Sequence, residues 1–248
     1  MLDGLMSRLT GRTTKAAAAP VVCIGHSHVK CVGAAAALDG FPLTAIDFWT
    51  TPAPFVDQDG QRRFSPTVAA ALRGDVVSFI GGSAHDMVGL PVHPRPFDFV
   101  LPSAPELPLD EAAEIIPVDG VRAAVLEVAQ EYLNLIALVK ASPAQRVLHA
   151  APPPPYADGA AMAPLIPWGL YAAGTRAVSP KFLRYKLWRL HCEIIADFCQ
   201  DIGVTFIPPP PEAVDGEGFL KPAFYEDPGH ANLAYGRLVL QQIRGRLA

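Results

Sequence analysis

The sequence predicts a three-layer α/β domain, a five-stranded parallel sheet with helices on both faces. Two observations lead there. Short apolar runs alternate with helical patterns along the chain, and several of these runs end abruptly in glycine or proline, as strands of a buried parallel sheet do. Half of the 248 residues are hydrophobic, which supplies enough apolar side chain for a core and rules out disorder for most of the length.

Pro20 to Gly25 is the first apolar run, suited to a strand buried on both faces. An alanine-rich helix follows from about Ser27 to Leu38, then a second strand from Leu43 to Trp49. Thr50 to Ser65 carries prolines, Gly60 and charges and reads as a loop. Ser65 and Pro66 are a helix cap and first-turn proline for a short helix to Leu72. The third strand, Asp75 to Ile80, closes on Gly81-Gly82. Ser83 to Pro117 is proline-rich with weak periodicity, and a stretch of that kind reads as a functional loop or lid.

Val121, Val125, Val128, Tyr132, Leu135 and Val139 recur at helical spacing and mark the clearest amphipathic helix. Arg146 to Ala150 is the fourth strand and runs into Pro152 to Pro155. A helix from about Pro180 stops at Gly203, and the fifth strand, Val204 to Ile207, runs into Pro208 to Pro211. Asn232 to Leu247 is the closing helix. No repeat or linker divides this series, so residues 20–248 read as one domain. Residues 1–19 form a flexible or docked tail, with Leu2, Leu5, Met6 and Leu9 on one helical face.

Composition bounds the function. The formal net charge of −4 argues against nucleic acid, which needs a basic footprint. No apolar run reaches the roughly 18 residues of a membrane span, and the N-terminus lacks the apolar stretch of a signal peptide. Cys23, Cys31, Cys192 and Cys199 form no C-x-x-C pair and read as reduced thiols, so the protein is expected to be soluble and cytoplasmic. Lys181, Arg184, Lys186 and Arg189 read as the solvated face of a helix. The 26 prolines, about twice the usual share, concentrate in the loops that leave strands four and five and in the Ser83–Pro117 segment.

Ligands of open α/β sheets bind beyond the carboxyl ends of the strands, and there the reactive residue types gather. After the first strand comes Gly25-His26-Ser27-His28; after the third, Gly81-Gly82-Ser83-Ala84-His85-Asp86; before the last helix, Asp227-Pro228-Gly229-His230. A serine at a strand-to-helix turn presents its hydroxyl above the sheet and its N–H at a helix start, where a developing oxyanion is stabilised. That hydroxyl needs a histidine as base and a carboxylate to orient the histidine. Asp227 and His230, three residues apart, can supply both.

At these residues the chain resembles the SGNH (GDSL-like) hydrolases. Gly25-His26-Ser27 matches the family's first block with histidine in place of aspartate, and Asp227-Pro228-Gly229-His230 matches its last block in full. Gly81-Gly82-Ser83 falls on the third block, with serine where asparagine is usual, and Gly60 on the single glycine of the second. The resemblance implies a flavodoxin-like fold and a cofactor-free serine esterase. Ser27 would be nucleophile, His230 the base and then acid, and Asp227 its orienter. The oxyanion hole would comprise Ser27, Gly60 and Ser83, with His85 a further candidate donor. Substrate contacts are expected from His28, Gly82, His85 and Trp49. The implied substrate is a small acyl ester, including O-acetyl on a carbohydrate, for which Trp49 and Trp168 could offer stacking surfaces.

Two other readings use the same residues. His26, His28, His85, Asp86, Asp227 and His230 are enough N/O donors for a metal-dependent hydrolase. The departures at His26 and Ser83 also suit a protein of this fold that binds ligand without turnover.

Overall fold

The computed structural model describes residues 21–171 and 176–247. The tail at 1–19, with its apolar face, lies outside the described residues. In chain order the elements are β1 (Val21–Gly25), α1 (Val29–Leu38), β2 (Leu43–Asp47), β3 (Phe55–Gln58), β4 (Gln61–Phe64), α2 (Pro66–Ala71), β5 (Gly74–Phe79), α3 (Ala84–Gly89), β6 (Phe97–Asp98) and β7 (Glu114–Ile115). After these come α4 (Val118–Lys140), β8 (Ala144–Ala150), α5 (Gly159–Met162), α6 (Lys181–Asp201), β9 (Thr205–Ile207), β10 (Tyr225–Asp227), β11 (His230–Ala231) and α7 (Leu233–Leu247).

The sheet is the expected one: five parallel strands in the order β2-β1-β5-β8-β9. Its period-two alternation builds the two cores. Val22, Ile24, Val76 and Val147 face one way and pack with α2, α4 and α6, while Val21, Cys23, Val77 and Leu148 face the other and pack with α1 and α7. From β1 the chain moves outward to β2, then crosses back to β5 on the other side of β1. The loops after β1 and β5 therefore diverge, leaving the crevice where such sheets bind ligands.

Three expectations are corrected. Residues 50–65 are not simply a loop, because β3 and β4 pair antiparallel across Asp59-Gly60. Both turn residues have positive φ, 56° and 72°, as a two-residue hairpin turn of the I′ type requires. Residues 83–117 are not a free lid either: they hold α3, and β6 pairs with β7. The fully buried Asp98 fastens this segment, accepting the N–H of Phe99 at 2.8 Å and of Asp110 at 2.9 Å.

The partner of Asp98 is Lys186 on α6, whose Nζ lies 2.5 Å from Asp98 Oδ1 and 3.1 Å from Pro108 O. Lys186 is fully buried and Arg184 nearly so, which overturns the solvated-face reading for these two residues, while Lys181 pairs with Glu217 at the surface. Arg184 donates to the carbonyl oxygens of Ser179 at 3.0 Å, Tyr156 at 2.5 Å and Ala157 at 2.9 Å. Buried charges persist when compensated by an opposite charge or by hydrogen bonds; Lys186 has the carboxylate of Asp98, and Arg184 has three carbonyl oxygens. The two basic side chains thus fasten the segments after β5 and β8 to α6.

Candidate active site

Ser27 stands two residues beyond β1, in the turn that opens α1. A Cβ on Gly25 would lie 2.5 Å from the carbonyl oxygen of Phe79, so only glycine lets β1 and β5 approach where the strand order reverses. Val29 N–H donates to His26 O at 3.1 Å and Lys30 N–H to Ser27 O at 3.0 Å, which winds the chain into the helix.

Asp227 and His230 do not open a helix, as the sequence suggests; they face each other across the antiparallel β10–β11 hairpin, and α7 starts only at Leu233. Gly229 N–H donates to Asp227 Oδ1 at 2.9 Å, which fixes the carboxylate in the turn. Asn232 couples hairpin to helix: its Oδ1 accepts the N–H of Ala234 at 3.0 Å, and its Nδ2 donates to Ala223 O at 2.9 Å. On α7, a Cβ at Gly236 would come within 2.3 Å of Cys31 O, so glycine allows α7 to lie on the backbone of α1. The helix that follows the histidine and the helix that follows the serine are thereby held together.

The result is a relay of three side chains. His230 Nε2 is 2.6 Å from Ser27 Oγ, and His230 Nδ1 is 2.7 Å and 2.9 Å from the two oxygens of Asp227. An ionised carboxylate only accepts, so the ring proton sits on Nδ1 and Nε2 offers a lone pair to the serine O–H. The hydrogen bond to Asp227 raises the His230 pKa above its ordinary value, against the lowering effect of partial burial. Burial by itself would raise Asp227, but the hydrogen bonds from His230 and Gly229 N–H outweigh it and hold the carboxyl below its usual range.

No family model matches the chain, and no curated protein does. Among solved structures it is similar to a GDSL-like lipase from Bacteroides thetaiotaomicron, at 14% identity and TM-score 0.43, over 92% of this chain and 87% of that one. It is also similar to an extracellular lipase from Streptomyces rimosus, at 13% identity and TM-score 0.47, over 92% and 99% of the two chains. An acetyl-xylooligosaccharide esterase from Geobacillus is similar at 9% identity and TM-score 0.40, over 92% and 94%. These are distant likenesses, and the chemistry is read from the side chains themselves.

Two recesses meet at Ser27. One, of about 410 Å³, is lined by Lys30, Cys31, Ala34, Glu226 and Leu233. The other, of about 450 Å³, is lined by His26, Trp49, Gly82, Ser83, Asp86 and Tyr132 among others. Ser83, which precedes α3, thus shares a wall with Ser27, and its side chain makes no capping bond to the helix. Gly82 touches the neighbouring histidine: a Cβ there would lie 2.2 Å from His28 Nε2. The His28 ring in turn lies 5.6 Å from the ring of His230, and burial, with help from the surrounding histidines, lowers its pKa to about 3. A neutral ring is thus wedged between His230 and the loop after β5.

Trp49 is 71% exposed in the second recess, 5.6 Å from the ring of His26. His26 also packs edge-on against Phe48 and Tyr132, at 5.2 Å and 5.4 Å. Tyr132 had read only as part of the helix's core stripe, so its place in the cleft wall was missed.

Two expected contributors are elsewhere. Gly60 occupies the tip of the β3–β4 hairpin, in a separate depression lined by Asp57, Arg62 and Glu131, and is not brought to Ser27. The hairpin draws this segment out as a two-residue turn, so its one glycine serves the turn. His85 is buried and turned to α6, its Nδ1 3.1 Å from His191 Nδ1, which leaves it unsuited as an oxyanion donor. It does line a small cavity of about 20 Å³ behind His230, with Asp86, Arg184 and Tyr225. Pro153, Pro154 and Pro155 line that cavity too, whereas Pro208 to Pro211 line none of the recesses at Ser27 or His230. Trp168 is half-buried and donates to Ala163 O at 3.2 Å, a packing role.

The donors required for a metal do not converge. His26 faces aromatic rings, His85 faces His191, and Asp227 and His230 bond each other. Among the described residues no group of three or more His, Cys, Asp or Glu side chains is placed to hold a metal ion. Among them, too, no helix is long and apolar enough to cross a membrane.

Proposed function

We propose that the protein is a serine ester hydrolase acting on a small acyl ester through an acyl-enzyme on Ser27. The observation that carries this reading is the unbroken relay from Ser27 Oγ through His230 to Asp227, with distances of 2.6 Å and 2.7 Å. As Ser27 Oγ attacks the ester carbonyl, its proton passes to His230 Nε2, and Asp227 stabilises the imidazolium formed. The tetrahedral oxyanion would be met by the N–H of Ser27 and by the Ser83 hydroxyl across the cleft. Its collapse breaks the bond to the alkoxide, which leaves as the alcohol with the proton from His230. Water, deprotonated by His230 in the reverse sense, then attacks the acyl-serine and releases the acid.

Ser83 is a shorter donor than an asparagine amide, which favours turnover slower than a three-donor hole would give. The alcohol half of the substrate extends into one recess and the acyl half into the other, and an O-acetyl group on a carbohydrate fits this division. Four unpaired cysteines suit a reducing compartment, which supports a cytoplasmic setting. Hydrolysis of p-nitrophenyl acetate by the purified protein and by Ser27→Ala tests the reading. Activity that drops to the background rate in the variant supports it, and activity that survives the substitution overturns it.

A further inference from the structure

We propose that the recess containing Trp49 is a subsite for a neutral sugar, with Asp86 accepting the sugar's hydroxyl groups and Trp49 stacking on its C–H face. The assignment deepens the ester-hydrolase reading and, for the reaction, rests on it. An ester's acyl and alcohol halves leave the carbonyl in opposite directions, and two recesses diverge from Ser27. The one lined by Cys31, Ala34, Ala231 and Leu233, with Lys30 and Glu226 also in its wall, offers small apolar side chains to a short acyl group. The other carries Ser83, Asp86, Trp49 and Tyr132 and suits a polar alcohol with an apolar face.

Asp86 has acceptor capacity that the protein leaves unused. Its side chain is 16% exposed, and its one polar contact among the described residues is His85 Nε2 at 3.5 Å from Oδ1. A carboxylate can accept about four hydrogen bonds, and a mostly buried one without them is costly. Arg184, the nearest permanent cation, is already committed to three carbonyl oxygens. Ligand hydroxyls donating to Asp86 would fill the vacant positions.

Trp49 supplies the second half of the site. Its N–H on the main chain is fixed by Asp47 Oδ1 at 3.0 Å, so the backbone holds an exposed indole at the cleft wall. A rigid aromatic face gains dispersion and weak C–H contacts from the flat side of a pyranose ring, at low entropic cost.

The charge of the ligand follows from what lines this recess. Among its described lining residues are the carboxyls of Asp86 and Asp227 and no lysine or arginine, which disfavours a uronate or phosphate there. Against a cation, burial pushes Asp86 up to about 7, opposed by Arg184 and His230, so part of its population is uncharged near neutrality. Hydroxyls, which donate and accept, suit both forms of the carboxyl.

The test compares peracetylated xylose with p-nitrophenyl acetate. For Asp86→Asn and Trp49→Ala, the ratio of kcat/KM on the sugar ester to that on p-nitrophenyl acetate is expected to fall about 10-fold or more, through KM. Binding is read separately with Ser27→Ala, titrated with unacetylated xylobiose. Saturable quenching of tryptophan fluorescence is expected, and it should vanish in Ser27→Ala/Trp49→Ala. An unchanged ratio in both variants overturns the subsite, as does a preference for acetylcholine over the sugar ester that Asp86→Asn removes. If the parent cleaves no ester yet xylobiose quenches as described, the subsite stands and the hydrolase reading fails. Absence of quenching by xylobiose removes the subsite whatever the ester kinetics show.

Discussion

Ser27 and His230 are 203 residues apart in the chain and 2.6 Å apart at their side-chain tips. Nothing local brings them together. Ser27 is carried by the turn between β1 and α1, His230 by the hairpin before α7, and the seating of α7 on α1 at Gly236 joins the two.

That dependence makes Gly236 a remote determinant of activity. Gly236→Ala must push a methyl group to within 2.3 Å of a backbone carbonyl, which cannot rotate away as a side chain could. A loss of stability of about 1–3 kcal/mol is expected from such overpacking. Urea denaturation measures it, and ester hydrolysis by the folded fraction should fall as well, because the helix shift moves His230 relative to Ser27.

The Asp227–His230 bond predicts a pH profile. His230 must be unprotonated to act as a base, and its pKa is raised by the hydrogen bond to Asp227. The kcat/KM of the free enzyme should therefore rise with pH and reach half its plateau above the ordinary histidine value of about 6.5. Asp227→Asn should lower kcat by about 10²–10⁴ and move the half-point downward, because the ring loses its orienter and its stabilised charged form. A profile whose midpoint does not shift in the variant would contradict the assignment.

The Lys186–Asp98 pair predicts an asymmetry. Lys186→Met leaves a buried carboxylate without its cation and should cost about 3–5 kcal/mol in urea denaturation. Asp98→Asn added to it should recover part of that loss, since no charge is left uncompensated; the recovery is partial because Phe99 N–H and Asp110 N–H bond different oxygens of Asp98 and an amide keeps only one of the two acceptors. Equal, additive losses in the two single variants and the double would show that the pair is not coupled.

Three buried histidines predict acid sensitivity. Burial lowers the pKa of His85 and His149 to about 3 and that of His191 well below 6.5. The unfolded chain binds these protons near pH 6.5 and the folded protein does not. Their contribution is thus fully present above about 6.5 and is lost as pH falls from there toward about 3. The slope is at most about 1.4 kcal/mol per pH unit for each histidine. The 3.1 Å contact between His85 Nδ1 and His191 Nδ1 requires one ring to donate and the other to accept, so the two take opposite tautomers. The urea midpoint measured between pH 7.5 and 5 should fall steeply, and His191→Asn should flatten that slope.

The sheet and the relay were legible in the sequence for the same reason. Five apolar runs each supply a strand of the sheet, and Ser27 sits just after one of them, while Asp227 and His230 keep a fixed short spacing near the last helix. What the sequence hid depends on pairing across distance. Lys186 looks like a solvated residue until Asp98, in a segment with no periodicity, turns out to face it. His85 and His191 likewise carry no mutual signal in sequence. The β3–β4 hairpin is a different case, because Asp59-Gly60 is a standard two-residue turn pair and its signal was present. Reading that segment as a loop also misassigned Gly60 to the oxyanion hole, since a glycine required by a turn is indistinguishable by type from one required by a site.

Covalent labelling tests the central claim most directly. A fluorophosphonate reacts with a serine whose hydroxyl is activated by a neighbouring base, and peptide mass spectrometry locates the adduct. The relay predicts stoichiometric modification of Ser27 in the folded protein, strongly slowed by His230→Ala. An adduct on another residue, or none on folded protein, would contradict it.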